Sequence, residues 1–434
     1  MRGWLRRTTG GLPATFWYLW TGTLVNRLGA FVLVFLAIYL TQERGFSQSR
    51  AGLVIGLWGV GGAVGTLAGG VLADRWGRRP TLLTAHLGTV TMMLAVGLAR
   101  DFWALAAGAL LLGMFAEGAR PAFGAMMVDV VPERDRVRAF SLNYWAINLG
   151  FAFSAVLAGL VAEVDYLLLF AIDAGTTLVT AVIVFLRVPE TRPAAAPRTG
   201  RGPGLGAVLR DRVYLIFLAL NLLGALMIMQ HLSTLPIAMS ADGLSPATFG
   251  LVIALNGVLI VSGQLFVPRL IEGRDRSRVL ALASVIMAAG FALTAAADVV
   301  WVFAVSVLIW TVGEMLQSPS NSALIAELSP SALRGRYQGT LSLTWSAAAA
   351  LAPVLGGATQ EHLGDTVLWL GVGAVGVLVA AGQLGSGPSR ERRAAALRAA
   401  ERAATPAVRP EPAPLPPPEP AEQAVDPAPA VERT

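Results

Sequence analysis

The sequence predicts an all-α integral membrane protein whose twelve transmembrane helices form two pseudo-symmetric six-helix bundles. Three observations carry that expectation. Hydrophobic residues make up 55% of the 434 and charged residues 14%, with a mean hydropathy of +0.62, too few charges to cover a soluble surface. About twelve apolar runs are each long enough to cross a hydrocarbon layer of roughly 30 Å, which takes about 20 helical residues. The second half of the chain also repeats the first at a constant offset of 198 positions, the kind of period that marks a duplicated architecture.

The runs occupy 14–41, 49–73, 80–99, 102–128, 138–161, 166–187, 213–239, 248–271, 279–297, 300–327, 336–358 and 366–386. Their sidedness follows from the basic residues, all 33 of which are arginines. Arg2, Arg6 and Arg7 precede the first span; Arg75, Arg78 and Arg79 follow the second; Arg134, Arg136 and Arg138 follow the fourth. Arg192, Arg198, Arg201 and Arg210 follow the sixth, Arg274, Arg276 and Arg278 the eighth, Arg334 and Arg336 the tenth, and Arg390, Arg392 and Arg393 the twelfth. The opposite loops carry Arg44, Arg50 and Arg100. Arginine excess marks the cytoplasmic side, so both termini are expected there, with the chain in the plasma membrane. The net charge of +6 then reports topology and implies no nucleic-acid partner. The first run is too long for the h-region of a signal peptide and reads as a retained helix.

The chain therefore divides into a cytoplasmic N-terminus (1–13), an N-terminal six-helix bundle (14–187), a cytoplasmic linker (188–212), a C-terminal six-helix bundle (213–387) and a disordered Pro/Ala-rich cytoplasmic tail (388–434). Prolines at 189, 193, 197 and 203 mark the linker, and the tail opens on an Arg/Ala/Glu stretch suited to a short helix. Cysteine is absent, which removes disulfides and thiolate metal sites. The three histidines, at 86, 231 and 362, share no helical face, and no P-loop, zinc-protease motif or nucleophile triad occurs. The sequence predicts no enzyme, no metal and no cofactor.

The repeat is dense enough to read position by position. Gly52-Leu53-Val54-Ile55 recurs as Gly250-Leu251-Val252-Ile253; Asp74 falls opposite Glu272, Arg78 opposite Arg276, Pro121 opposite Pro319, and Asp129 opposite Glu327. With six spans in each half, the halves lie parallel, related by an axis along the membrane normal, an arrangement that lets one half rock against the other around a midplane site.

Between spans two and three, Gly70-Val71-Leu72-Ala73-Asp74-Arg75-Trp76-Gly77-Arg78-Arg79 resembles the signature loop of the major facilitator superfamily, over a likeness that covers about residues 14–387. Physically, Gly77 permits a tight turn and Gly70 a close helix approach, while Asp74 can face a helix N-terminus or an arginine. The resemblance implies that Gly70, Asp74, Arg75, Gly77 and Arg78 form a conformational latch between the halves in the outward-facing state. Gly313-Glu314-Met315-Leu316-Gln317-Ser318-Pro319, then Ser329-Pro330 and Arg334-Gly335-Arg336, are similar to segments of multidrug-type members and of proton-coupled oligopeptide transporters. Arg120-Pro121 with Asp129 resembles a Lys-Pro…Asp arrangement of the peptide transporters, but their Glu-x-x-Glu-Arg is here Thr23-Leu24-Val25-Asn26-Arg27. An arginine of the drug antiporters is replaced by Ala109, and their Gly-Pro pair by Ser154-Ala155.

An ionised side chain near the bilayer centre costs several kcal/mol unless paired or hydrated, so it defaults to a functional hypothesis. By depth those residues are Arg27 in span one, Glu117 and Arg120 in span four, Glu314 in span ten and, nearer the outer end of span six, Asp173. Glu117 and Arg120, three apart, share a helix face and can pair, with Arg27 approaching from span one; the competing reading is a static ion network that fixes packing. Glu314 has no arginine nearby in sequence. It either binds and releases the coupling proton, reaches across to Arg27 or Arg120 in one conformation, or serves packing alone. Asn26, Trp145, Asn148, Gln230, His231, Gln317 and Asn321 are the candidate substrate-cavity residues, each equally explicable as interhelical glue or bulk.

These readings predict a monomeric secondary transporter that works by alternating access and exports small amphipathic or hydrophobic compounds in exchange for protons. Its partners are the small-molecule substrate, protons and the lipid bilayer. Proton-coupled uptake of a peptide-like solute is the alternative, and a non-transporting receptor or scaffold the remote one.

Overall fold

The computed structural model describes residues 10–192, 206–264, 266–330 and 333–404. Among them are twelve helices long and apolar enough to cross a membrane. In chain order these are α1 (Ala14–Glu43), α2 (Gln48–Arg75), α3 (Arg78–Leu98), α4 (Phe102–Val130), α5 (Arg136–Ala162), α6 (Tyr166–Arg187), α7 (Arg212–Ala241), α8 (Pro246–Gly263), α9 (Arg276–Leu293), α10 (Val300–Leu328), α11 (Arg334–Leu363) and α12 (Asp365–Ala404). Ser47, Asp101, Asp165, Asp211, Ser245 and Asp275 each precede a helix and accept a main-chain N–H of its first turn, which satisfies donors that the helix itself cannot.

Three boundaries differ from the sequence expectation. α1 is broken into Ala14–Leu28 and Val32–Ile38, followed by a π-helical turn at Tyr39–Glu43. α8 ends at Gly263, and Val267–Ile271 is a separate helical turn. The Arg/Ala/Glu stretch that opens the tail, expected as a short helix ahead of a disordered segment, is helical but continues α12 without a break to Ala404, with Pro388 inside it. The continuation is tied down: Arg393 pairs with Asp211 at 3.1 Å, and the buried Arg390 donates to Gln383 Oε1 at 2.6 Å and Ser277 Oγ at 3.0 Å. The linker prolines 193, 197 and 203 and the segment 414–420 lie outside the described residues.

Glycines set how closely the helices approach. A Cβ at Gly61, Gly65 or Gly113 would lie 1.9, 2.0 and 2.0 Å from the carbonyl oxygens of Leu110, Met114 and Trp58, so α2 and α4 meet backbone to backbone within the first half. The other face of α2 meets the second half. Cβ atoms at Gly52 and Gly56 would lie 2.2 and 2.6 Å from the carbonyl oxygens of Pro353 and Ala350 on α11. α5 and α8 meet in the same way, with Gly250 against Ala155 and Gly257 against Ala152.

All these contacts between halves lie on the side opposite the arginine-rich loops. There one apolar cluster joins the halves, including Phe35, Ile38, Ala155, Leu235, Met239 and Phe249, and the Phe35 and Phe249 rings meet edge to face at 5.4 Å. Ser49 N–H donates to Glu361 across the halves at 2.7 Å, and Gln42 to Ser240. On the arginine-rich side the clusters keep to one half each: Phe16, Ala122, Met126 and Val184 in the first, Tyr214, Phe217, Leu328 and Tyr337 in the second. The molecule is sealed on one side and cleft on the other.

Candidate substrate and proton site

The break in α1 builds the first part of the site. Gly29 ends the first piece, and a Cβ there would lie 2.1 Å from Thr176 Oγ1 on α6. The freed N–H of Val32 donates to Asp173 Oδ2 at 3.1 Å. Asp173, expected among the proton-coupling charges, is thus a buried cap on the second piece of α1, and Asn26 is held by donating to Thr177 Oγ1 at 2.9 Å. Arg27, the second-last residue before the break, projects into the cavity beside Gly150, where a Cβ would lie 2.5 Å from its own.

Glu117 and Arg120 do pair, with Nε to Oε2 at 2.9 Å, while the Arg120 side chain keeps 64% of its surface exposed to the cleft. Arg27, Arg120, Asn26, His86 and Ala116 line two abutting cavities of about 280 and 490 Å³. The deeper one adds Glu117, Asp173, Trp58, Phe151 and His231. The shallower one opens toward the arginine-rich side between Phe123, Phe140, Asn143 and Tyr144. His86 and Tyr144 escaped the sequence reading; His86 shares a face of α3 with Thr89 and Met93, which line the same cavity, and that spacing was the available signal.

Glu314 stands on the facing half. Its carboxylate accepts from Asn256 Nδ2 at 2.8 Å, and Asn256 also donates to Thr311 Oγ1 at 3.1 Å. Among the described residues no cation lies within ion-pair distance of Glu314. Together with Gln317 and Asn321 it lines a third cavity of about 230 Å³ among α7, α10 and α11.

The remaining candidates separate. His231 reaches the deep cavity, its Nδ1 held by Ile228 O and its ring 5.5 Å from that of Trp310. Gln230 turns away: it donates to Leu226 O and Ala352 O at 3.3 Å, accepts from Thr234, and lines an apolar cleft among α7, α11 and α12. Asn148 donates to Tyr144 O of its own helix, and Trp145 lines none of the three central cavities.

The loop between α2 and α3 is closed within the first half. Gly77 turns with φ +127°, Arg78 pairs with Asp129 at 2.8 Å, and Asp74 is exposed. Glu190 accepts the N–H groups of Arg78 and Arg79 at 3.0 and 3.1 Å, and Arg192 donates to Arg75 O. Gly70 makes no close approach; Gly69 does, its Cβ position 2.2 Å from Gly118 O. The repeat places Arg276 against Glu327 at 3.0 Å in the second half, so neither arginine bridges the halves.

Comparison with known proteins agrees with this geometry. A family model described as the Major Facilitator Superfamily matches residues 19–353 and 231–417. The chain is 25% identical to the multidrug resistance protein MdtH of Klebsiella pneumoniae, covering 83% of this chain and 91% of that one. It is 24% identical to a Na(+), Li(+), K(+)/H(+) antiporter of Planococcus maritimus, covering 74% and 84%. A solved POT family transporter in complex with 5-aminolevulinic acid superposes with a TM-score of 0.76 at 14% identity, covering 88% and 98%.

Proposed function

The chain belongs to the major facilitator superfamily, as a multi-pass membrane transporter and not an enzyme, and from that premise we propose that it exports small amphipathic compounds in exchange for protons. The observation that carries this reading is Glu314, a carboxylate with no cation in ion-pair range among the described residues, lining a cavity of the second half and held by Asn256. Such a group takes up a proton more readily than a paired one and so serves as the carrier. The arginine-rich side is the cytoplasmic one in this proposal, which makes the sealed side external and the conformation inward-facing. The single chain carries out the cycle by rocking one half against the other, and no cofactor takes part.

One feature favours a second reading, uptake of a peptide-like zwitterion: Arg27 and Arg120 line a cavity of the first half and Glu314 one of the second. The two separate in reconstituted vesicles carrying an internal pH dye and offered ethidium, chloramphenicol or dialanine. Export predicts proton movement opposite to ethidium or chloramphenicol, abolished by Glu314→Gln; Glu117→Gln in parallel tests whether the paired carboxylate is a second carrier. Proton entry alongside dialanine would establish uptake instead, and full coupling in Glu314→Gln would remove the proton assignment.

A further inference from the structure

The shallow cavity of the first half and the cavity of the second are the same cleft, repeated. Residues at the 198-position offset line both: Thr23 and Asn221, Ala119 and Gln317, Phe123 and Asn321, Phe140 and Gln338. Their chemistry has diverged. In the first half the walls are Leu82, Phe123, Phe140, Tyr144 and Ile147 around the two arginines, in about 490 Å³. In the second half Asn221, Gln317, Asn321, Ser322 and Gln338 lead to Glu314, whose counterpart is Ala116, in about 230 Å³.

Large apolar walls with a few directed polar groups suit an organic ligand. A narrower file of amide and hydroxyl groups ending at a carboxylate suits water and protons. Asn321 adds a direct sign: its Oδ1 is buried and has no hydrogen-bond partner among the described residues, a state that an interior water relieves. Asn143 Oδ1 in the first cleft is likewise unpartnered among the described residues; there, in the larger cleft with Phe140 and Tyr144, it can accept from a ligand hydroxyl or amide.

We propose that the two clefts divide the cargo: the first-half cleft seats the organic substrate, an aromatic or alkyl body with acceptor groups turned to Arg27 and Arg120, while the second-half cleft is a hydrated conduit delivering protons to Glu314. This rests on the proton-coupled reading above and moves Gln317 and Asn321 from substrate binding to the proton route. Substrate and proton then communicate through the rocking of the halves rather than by competing for one group.

The chain lacks cysteine, so single variants Phe123→Cys, Phe140→Cys, Asn321→Cys and Gln338→Cys each carry one reactive thiol. In vesicles exposing the arginine-rich side, labelled with a charged methanethiosulfonate, saturating chloramphenicol should slow modification at 123 and 140 at least fivefold and leave 321 and 338 unchanged. Equal protection at 321 and 338, or protection at neither pair, overturns the proposal. Asn321→Phe with Gln338→Phe, which copies the first-half residues into the second, should slow proton uptake at least tenfold with chloramphenicol Kd within twofold, whereas Asn321→Ser keeps the rate. Weakened Kd with a normal proton rate would refute it. If Glu314→Gln retains proton uptake, the proton-coupled reading fails and the conduit with it, while the protection pattern still decides where the substrate sits.

Discussion

Two glycine faces on α2 have opposite duties, and Gly56→Ala separates them. Gly56 meets α11 across the sealed side, where an added Cβ would lie 2.6 Å from Ala350 O and 2.6 Å from Val354 Cγ2, roughly 0.8 Å short of ordinary contact. Overpacking of that size costs about 1–3 kcal/mol. The cost falls only on the conformation in which α2 and α11 touch, because the helix-propensity gain of alanine is common to both conformations. The equilibrium should therefore shift roughly 5–150-fold toward the conformation open on the side that is sealed here. Gly61→Ala places its Cβ 1.9 Å from Leu110 O inside the first half, a contact kept throughout the cycle, so it should lower thermal stability without shifting the equilibrium. Spin labels at Arg100→Cys and Asp298→Cys, exposed outer loops of the two halves, report the balance by double electron–electron resonance. Gly56→Ala should enlarge the long-distance population. An unchanged distance distribution, with a loss of stability matching that of Gly61→Ala, would refute the division.

Three further outcomes follow from local contacts. Asp173→Leu strips the acceptor from Val32 N–H and should destabilise the fold by about 1–3 kcal/mol, read as a lowered melting temperature in detergent; Asp173→Asn should lose less. Burial works against the Glu190 carboxylate, but the main-chain N–H groups of Arg192, Arg78, Arg79 and Thr191 outweigh it and hold its carboxyl below the ordinary glutamate range. Its stabilisation is complete above the unfolded value, about 4.3, and is lost as pH falls through the lower folded value; Glu190→Gln should therefore abolish this acid-side component of a melting curve taken against pH and leave its slope near pH 7 unchanged. Arg393→Ala should release α12 beyond Pro388 from Asp211, raising amide hydrogen exchange over 389–404 and leaving 366–380 protected.

Much of this was legible because it depends on short spacing or on the repeat. Twelve spans follow from hydropathy, and the Glu117–Arg120 pair follows from a three-residue step on one helix. Pairing Arg78 with Asp129 and Arg276 with Glu327 was foreshadowed by their shared offset. The break in α1 was not, because the acceptor that makes it tolerable is Asp173 on α6. The direction of Gln230 was equally hidden: helices apolar on every side give no hydrophobic stripe to orient a polar residue, and only its donation to Ala352 O settles it. The helix past Pro388 depends on Asp211, almost half the chain away.

The arrangement of polar contacts also explains why so small a charge can drive so large a motion. A transporter must populate both conformations, so the closed outer side cannot be favoured by more than a few kcal/mol. Between the halves that side offers backbone contact at glycines, an apolar cluster and the Ser49–Glu361 and Gln42–Ser240 hydrogen bonds. On the arginine-rich side the ion pairs of Arg78 and Arg276 close within their own halves, so parting or joining that side breaks neither of them. What remains to tip a near-balanced equilibrium is the central cleft, where charging an unpaired carboxylate in low dielectric is worth several kcal/mol. On the proton-coupled reading, Glu314 is the group that supplies that difference. A Glu314→Gln variant should therefore not only uncouple protons but also make the population of the two conformations independent of pH, measurable with the same pair of spin labels; a pH-dependent distribution surviving in that variant would place the switch on another group.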